Sequence, residues 1–171
     1  MGGIVPMAGL AIAAVAATSM QLQSSDFSPG ATIPVRAMAS DCGGENRSPA
    51  LSWAGAPKGT KSFALVLHDA DAPIAGGFYH WVVYNLPADA HALAAGVKLA
   101  ANQLGETSAG KPSYYGPCPP PGPVHHYSFT LYALDLPQIS SGTPPTATEL
   151  ERRIAGHILA RAVLQGTETS H

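Results

Sequence analysis

Three short stretches of the chain gather side chains suited to holding an anion or moving a proton. In "HDADAP", His68 to Pro73, two carboxylates, Asp69 and Asp71, stand just before Pro73, which stops a strand from continuing. Such a pair can bind a metal, accept hydrogen bonds from a ligand, or tie down a turn. In "GGFYHWVVYN", His80 interrupts an otherwise apolar run, and a lone strand histidine is either a satisfied core group or a ligand. In "YYGPCPPPGPVHHYSF", Tyr114 to Phe129, a proline-rich loop leads directly into His125, His126 and Tyr127. The prolines leave few N–H groups, those of Gly116, Cys118 and Gly122 among them, and fix their direction at low entropy cost. Aimed N–H donors beside an imidazole and a phenol suit an oxyanion or a phosphate.

Short strands must position these residues. "SFALVLHD", Ser62 to Asp69, reads as a buried strand, "YHWVVYNLP", Tyr79 to Pro87, as a second, and "HHYSFTLYALD", His125 to Asp135, as a third. In the third, alternation places His125, Tyr127, Phe129 and Leu131 on one face, and it turns His126 away. The same rule turns Asp69 and Asp71 to one side. "SPALSWAGAP" reads as a weaker strand closed by a turn. One helix is expected: Thr148 caps "ELERRIAGHILARAVL", in which Leu150, Ile154, Ile158 and Ala162 recur at helical spacing. Glu149 and Glu151 fall at its positive end, and Gly166 stops it unless "AVLQG" leaves as a short strand. The expected fold is mainly β, an antiparallel two-sheet β-sandwich with a C-terminal helix.

Composition sets the outer limits. The 171 residues, 46% hydrophobic and 12% charged, suffice for one globular domain. A formal net charge of -2 with no basic stripe excludes nucleic acid as a partner and gives no bulk attraction to anionic membranes. Any anion must therefore be caught locally. Ile4 to Ala17 is apolar and rich in small residues, which suits a secretory signal. Residues 1–19 are read as that signal or an apolar N-terminal segment, and 20–171 as a single domain. Export to the periplasm or outside the cell is expected, with a cytoplasmic location as the alternative. In an exported chain Cys42 and Cys118 suit one disulfide, although two separate thiols fit the sequence nearly as well.

"DADAP", "HWVVYNLP" and "GPCPPPGPVHHYSFTLYALD" resemble, in order and spacing, the signature segments of the phosphatidylethanolamine-binding protein family, closest to its bacterial and archaeal Raf kinase inhibitor-like branch. The flanks "CGGENRSPALSWAGAPKGTKSFALVL" and "GHILARAVLQG" extend the likeness over roughly Met20 to Gly166. The resemblance implies a β-sandwich with one small anion pocket at its edge. It implies pocket roles for Asp69, Asp71, Pro73, His80, His125 and Tyr127, and for Gly116, Cys118 and Pro119 as a rigid wall. Ala70 stands where the motif's first proline would be, and His126 where the family has arginine, which predicts a lost ion pair or stack beside an intact pocket. The chain also lacks the C-terminal aromatic that closes the pocket in some members.

The expected function is the binding of a small anion, a phosphoryl headgroup or a carboxylate, with no catalytic residue, metal or cofactor. Modulation of a kinase, protease or other protein partner is implied by the same resemblance, and a homodimer through an exposed sandwich edge is a further expectation. The alternative is an enzyme, either thiol-dependent through Cys118 and His125 or hydrolytic through a metal held by Asp69, His80 and His125. Neither G-x-S-x-G nor H-E-x-x-H is present to support a standard hydrolase.

Overall fold

The computed structural model describes residues 19–169; the apolar stretch read as a signal lies outside them. Among the described residues no helix is long and apolar enough to cross a membrane. Seven strands follow in the order β1 (Gln21–Gln23), β2 (Leu51–Ala54), β3 (Ser62–Asp69), β4 (Phe78–Pro87), β5 (Ala92–Leu93), β6 (His125–Leu134) and β7 (Ile158–Glu168). A helix, α1 (Ala147–Ile154), precedes the last strand. The strands form two antiparallel sheets, a small one ordered β1-β2-β5 and a larger one ordered β4-β3-β6-β7.

The unbroken apolar run of β3 follows from its central place. Phe63, Leu65 and Leu67 face the small sheet and share a core with Leu22, Leu51 and Trp53. Ala64 and Val66 face the other way and pack with Tyr132, Leu150 and Ile154. A strand covered on both sides has no reason to alternate. The larger sheet is thus sandwiched between β1-β2-β5 and α1.

The C-terminal region departs from the long helix expected from sequence. The helix is only eight residues, and its cap is Thr146, not Thr148. The Thr146 Oγ1 accepts the Glu149 N–H at 3.3 Å, and the Glu149 carboxylate accepts the Thr146 N–H at 2.9 Å. This reciprocal capping box fixes the start. Glu151 is not in the first turn; its carboxylate accepts the Tyr132 hydroxyl at 3.3 Å. Leu150 and Ile154 do share a buried helical face, but Ile158 and Ala162 belong to β7. The helical spacing of those four residues coexists with a period-two pattern, Ala162, Leu164, Gly166 and Glu168, all buried. The sheet wins because the outer edge of β6 would otherwise be left unpaired, and β7 pairs with it along its length. Thr146→Ala removes one half of the capping box and is expected to lower stability by about 1 kcal/mol in denaturant unfolding.

Both edges of the larger sheet are largely covered. Along β4, the segment 105–115 donates N–H groups to the carbonyls of Val82, Tyr79 and His80. Along β7, residues 30–33 bond to Gln165 and Thr167, which leaves Ile158 to Val163 open, with Ile158, Leu159 and Val163 exposed. A homodimer formed through a large-sheet edge would have that stretch to use.

Candidate anion pocket

One end of the larger sheet carries the chemistry, and strand register assembles it. Asp69 closes β3 and stands opposite Phe78 of β4 on one side and Tyr127 of β6 on the other. His125, two residues before Tyr127 on the same face, stands opposite Glu168 of β7. His80 arrives by a different device. Leu67 pairs with Trp81 and His68 with Tyr79, so His80 is the extra residue of a β-bulge. A bulge re-aims a side chain, and here His80 and Trp81 are both buried although adjacent. Asp69, His80, His125 and Tyr127 line a cavity of about 180 Å³ together with Pro73, Cys118 and Pro119.

Hydrogen bonds settle the tautomers. The Nδ1 of His125 lies 2.7 Å from Oδ2 of Asp69, and both residues are buried. An ionised carboxylate only accepts, so Nδ1 carries the proton and Nε2 of the neutral ring is bare. The Nδ1 of His80 lies 2.8 Å from the carbonyl oxygen of Tyr115, which also only accepts. His80 therefore donates through Nδ1 as well. Burial pushes its pKa down to about 4, against the favourable pull of the Tyr115 carbonyl and the Asp69 carboxylate. The Tyr127 hydroxyl is buried beside the Asp69 carboxylate and makes no well-formed hydrogen bond. Burial first, and the charge of Asp69 second, hold its pKa well above the usual phenol value. The site in its neutral form thus presents two bare imidazole nitrogens and a buried hydroxyl set beside the Asp69 carboxylate.

The proline-rich wall is tied down on its far side. Asn46, with a left-handed φ of 50°, accepts the Gly116 N–H at 2.8 Å and donates to the Tyr114 carbonyl at 3.1 Å. The Pro117 carbonyl accepts the Ala39 N–H at 3.0 Å. Cys118 is joined to Cys42 by a disulfide with a Cα–Cα distance of 5.6 Å. The pairing left open by the sequence is therefore formed, and in this state Cys118 has no thiol with which to act as a nucleophile.

Two residues expected at the pocket are placed otherwise. Gly116 lies behind the wall, where a Cβ would come within 2.5 Å of backbone atoms of residues 37–39, and its N–H is spent on Asn46. The carboxylate of Asp71 turns outward and accepts both the N–H and the Nδ1–H of His126, at 2.8 and 2.7 Å. These bonds hold the Asp71 pKa below the usual carboxylate value. Where the loss of an ion pair or stack was expected with the arginine, the His126 ring and N–H are hydrogen-bonded to Asp71 on the outer surface. The turn departs from strand alternation after Asp69, whose Oδ1 accepts the Asp71 N–H at 2.9 Å. For the metal alternative, Asp69, His80 and His125 do not bring one ligand atom each within 4.8 Å of the other two.

Sequence reasoning missed Phe78, Tyr115 and Ile74 as lining residues, and Asn46 and Glu168 as neighbours. Phe78 was within reach, since it precedes His80 by two residues; its ring packs 4.6 Å from the imidazole. Glu168 was hidden by the helical reading of the region before it. Asn46 carries no local signal of its contact with a loop 70 residues away.

Comparison with known proteins identifies the fold and the family. The sequence profile of the phosphatidylethanolamine-binding protein family matches residues 23–169. The UPF0098 protein YbhB of Escherichia coli is 39% identical over 151 residues, covering 84% of this chain and 96% of that protein. A Mycobacterium tuberculosis relative that carries a lipoprotein name, LppC, is 37% identical over 157 residues, covering 90% of this chain and 74% of its own length. Among solved structures, E. coli YbcL, described as a new member of the mammalian family, superposes with a TM-score of 0.83 at 31% identity, covering 89% of this chain and 99% of that one. The Chlamydia trachomatis homologue CT736 gives a TM-score of 0.81 at 38% identity, covering 90% and 99%. A profile match over most of its length, together with these relatives, shows that the chain belongs to the phosphatidylethanolamine-binding protein family.

Proposed function

We propose that the chain is a binding protein for small anions, phosphoryl or carboxylate groups, held in the cavity between His80, His125 and Tyr127. The observation that carries this reading is the buried Asp69–His125 pair, which lines one cavity with a second buried histidine and a buried tyrosine hydroxyl. The cavity volume of about 180 Å³ suits a headgroup and leaves little room for an acyl chain.

Because both Nδ1 protons point away to protein acceptors, an aprotic anion gains a hydrogen bond from either imidazole only when its Nε2 takes up a proton. Binding is thus coupled to protonation. Negative charge entering the cavity raises the histidine pKa values, and Asp69 stabilises the resulting imidazolium of His125. Uptake of one proton makes affinity fall about tenfold per pH unit as pH rises.

The test is calorimetric titration of the full chain with sulfate at pH 6, 7 and 8, in buffers of different ionisation enthalpy. Sulfate does not titrate in this range, so proton uptake is the protein's own. Phosphate, phosphoethanolamine and acetate then rank the ligands. The expected result is one-site binding, tighter at pH 6 than at pH 8, weakened about 10- to 100-fold by His125→Ala through loss of a charge-assisted hydrogen bond. A flat pH profile or an indifferent variant overturns the role of the histidines. Failure of every anion to bind well-folded protein would shift attention to a protein partner.

Two features support export of the chain: the Cys42–Cys118 disulfide, which is stable in oxidising compartments, and the lipoprotein name of a relative.

A further inference from the structure

A second cavity, of about 550 Å³, opens on the other side of the proline-rich wall. Adjacent residues divide the two spaces: His80 and Tyr115 face the anion pocket, while Trp81 and Tyr114 face the cleft. The floor of the cleft is apolar, made by Trp81, Val97, Leu99 and Leu104, with Tyr114 set edge-on to the Trp81 indole at 5.3 Å. Its rim carries Arg47 and Lys98, against a single acid, Glu45. Neither cation is in an ion pair: among the described residues the only arginine or lysine so engaged is Arg36, with Asp26.

Two details make this a formed site and not a surface dent. Ser48 is 97% buried, lines the cleft, and its hydroxyl makes no hydrogen bond within the described residues, although its carbonyl accepts the Gly96 N–H at 2.8 Å. The hydroxyl oxygen is not closed off from solvent, so it is open to the cleft, where water or a ligand can serve as its partner. Gly96, at φ 68°, is what lets Arg47 lie over the cleft: a Cβ there would come within 2.9 Å of the arginine Cγ and 3.2 Å of its Nε.

We propose that this cleft binds a small organic anion with an apolar body, a medium-chain or aryl carboxylate. The carboxylate meets Arg47 and Lys98, with the Ser48 hydroxyl as a further donor, and the apolar body covers Trp81, Val97, Leu99 and Leu104. The volume falls in the range of ordinary small-molecule sites, roughly 300–1,000 Å³, and the pairing of an apolar floor with a few convergent polar groups is what such sites share. The surplus of positive charge selects an anion over a neutral or cationic amphiphile. The site is distinct from the anion pocket in both its residues and its chemistry, since it needs no histidine.

The experiment is titration of the isotopically labelled full chain with sodium octanoate below its micellar concentration, followed by amide and indole NMR shifts. n-Octanol is the neutral control. Saturable shifts centred on residues 45–48, 95–99 and the Trp81 indole are expected. Arg47→Gln/Lys98→Gln and the change to octanol should each weaken binding about tenfold. His125→Ala should leave octanoate binding unchanged, so the proposal survives or fails independently of the anion pocket. No saturation in folded protein overturns it. So does equal binding of octanol, or a shift pattern confined to Phe78, His80 and His125 that sulfate abolishes.

Discussion

Replacing Cys42 and Cys118 with serine is expected to lower the stability of the fold by about 4 kcal/mol, with a fall in Tm of roughly 10 °C. The cysteines are 76 positions apart, so the disulfide closes a long loop in the unfolded chain and removes much of its entropy. That loop spans β2 to β5 and contains Asp69 and His80, and it ends at the pocket wall. Both cysteines are only half-buried, so a reducing agent should reproduce the effect in the wild-type protein and leave the variant unchanged. A second consequence concerns the site. Pro119 and Pro120 line the cavity, and the disulfide is the covalent tie nearest to them. In the serine variant the wall keeps no covalent tie and is held from its N-terminal side by hydrogen bonds, among them those of Asn46, the Ala39–Pro117 bond and the bonds between Tyr115 and His80. Anion affinity should therefore fall even at temperatures where circular dichroism shows an intact sheet. Thermal unfolding with and without dithiothreitol, paired with sulfate titration, checks both. An unchanged Tm together with two titratable thiols would mean that the cysteines are not bonded in the folded protein.

The parts of this molecule that sequence made legible are those governed by local periodicity. The apolar run of β3 and the alternation of β6 follow from burial on two faces and on one face, and His125, Tyr127, Phe129 and Leu131 do share a buried side. What escaped depends on non-local decisions. Ile158 and Ala162 fit a helix as well as a strand, and only the unpaired edge of β6 decides between them. The direction of His80 depends on a bulge, which no run of strand residues announces. Asp71 continues the alternation of β3 on paper, but the chain has already turned, because the Asp69 carboxylate captures the Asp71 N–H. Asn46 clamps a loop far along the chain, and the cleft of Arg47 and Lys98 is assembled from five separated segments. The resemblance of motifs located the pocket. It did not disclose that each imidazole spends its Nδ1 proton on a protein acceptor, the geometry from which the proposed proton requirement of anion binding is argued.

The cost of keeping His80 neutral and buried should appear as a pH dependence of stability. Its pKa is depressed in the folded state to about 4, from an ordinary value near 6.5, chiefly by burial. Above pH 6.5 the ring is neutral in both folded and unfolded chains and contributes no pH dependence. As pH falls below 6.5 the unfolded chain binds a proton that the folded protein refuses, so stability declines by up to about 1.4 kcal/mol per pH unit. The decline ends near pH 4, where the folded protein also takes the proton, after a loss on the order of 3 kcal/mol. Other ionisable groups lie beside His80, so the comparison must be with a variant. His80→Gln cannot titrate, and its amide can still donate to the Tyr115 carbonyl. Between pH 7.5 and pH 5 wild-type stability should fall about 2 kcal/mol further than that of the variant, measured by urea unfolding. Sulfate should reverse the difference, because an anion beside Nε2 favours the charged ring and binds only the folded state. Parallel pH profiles for the two proteins would mean that burial does not depress His80, and the proton coupling of the pocket would then rest on His125 alone.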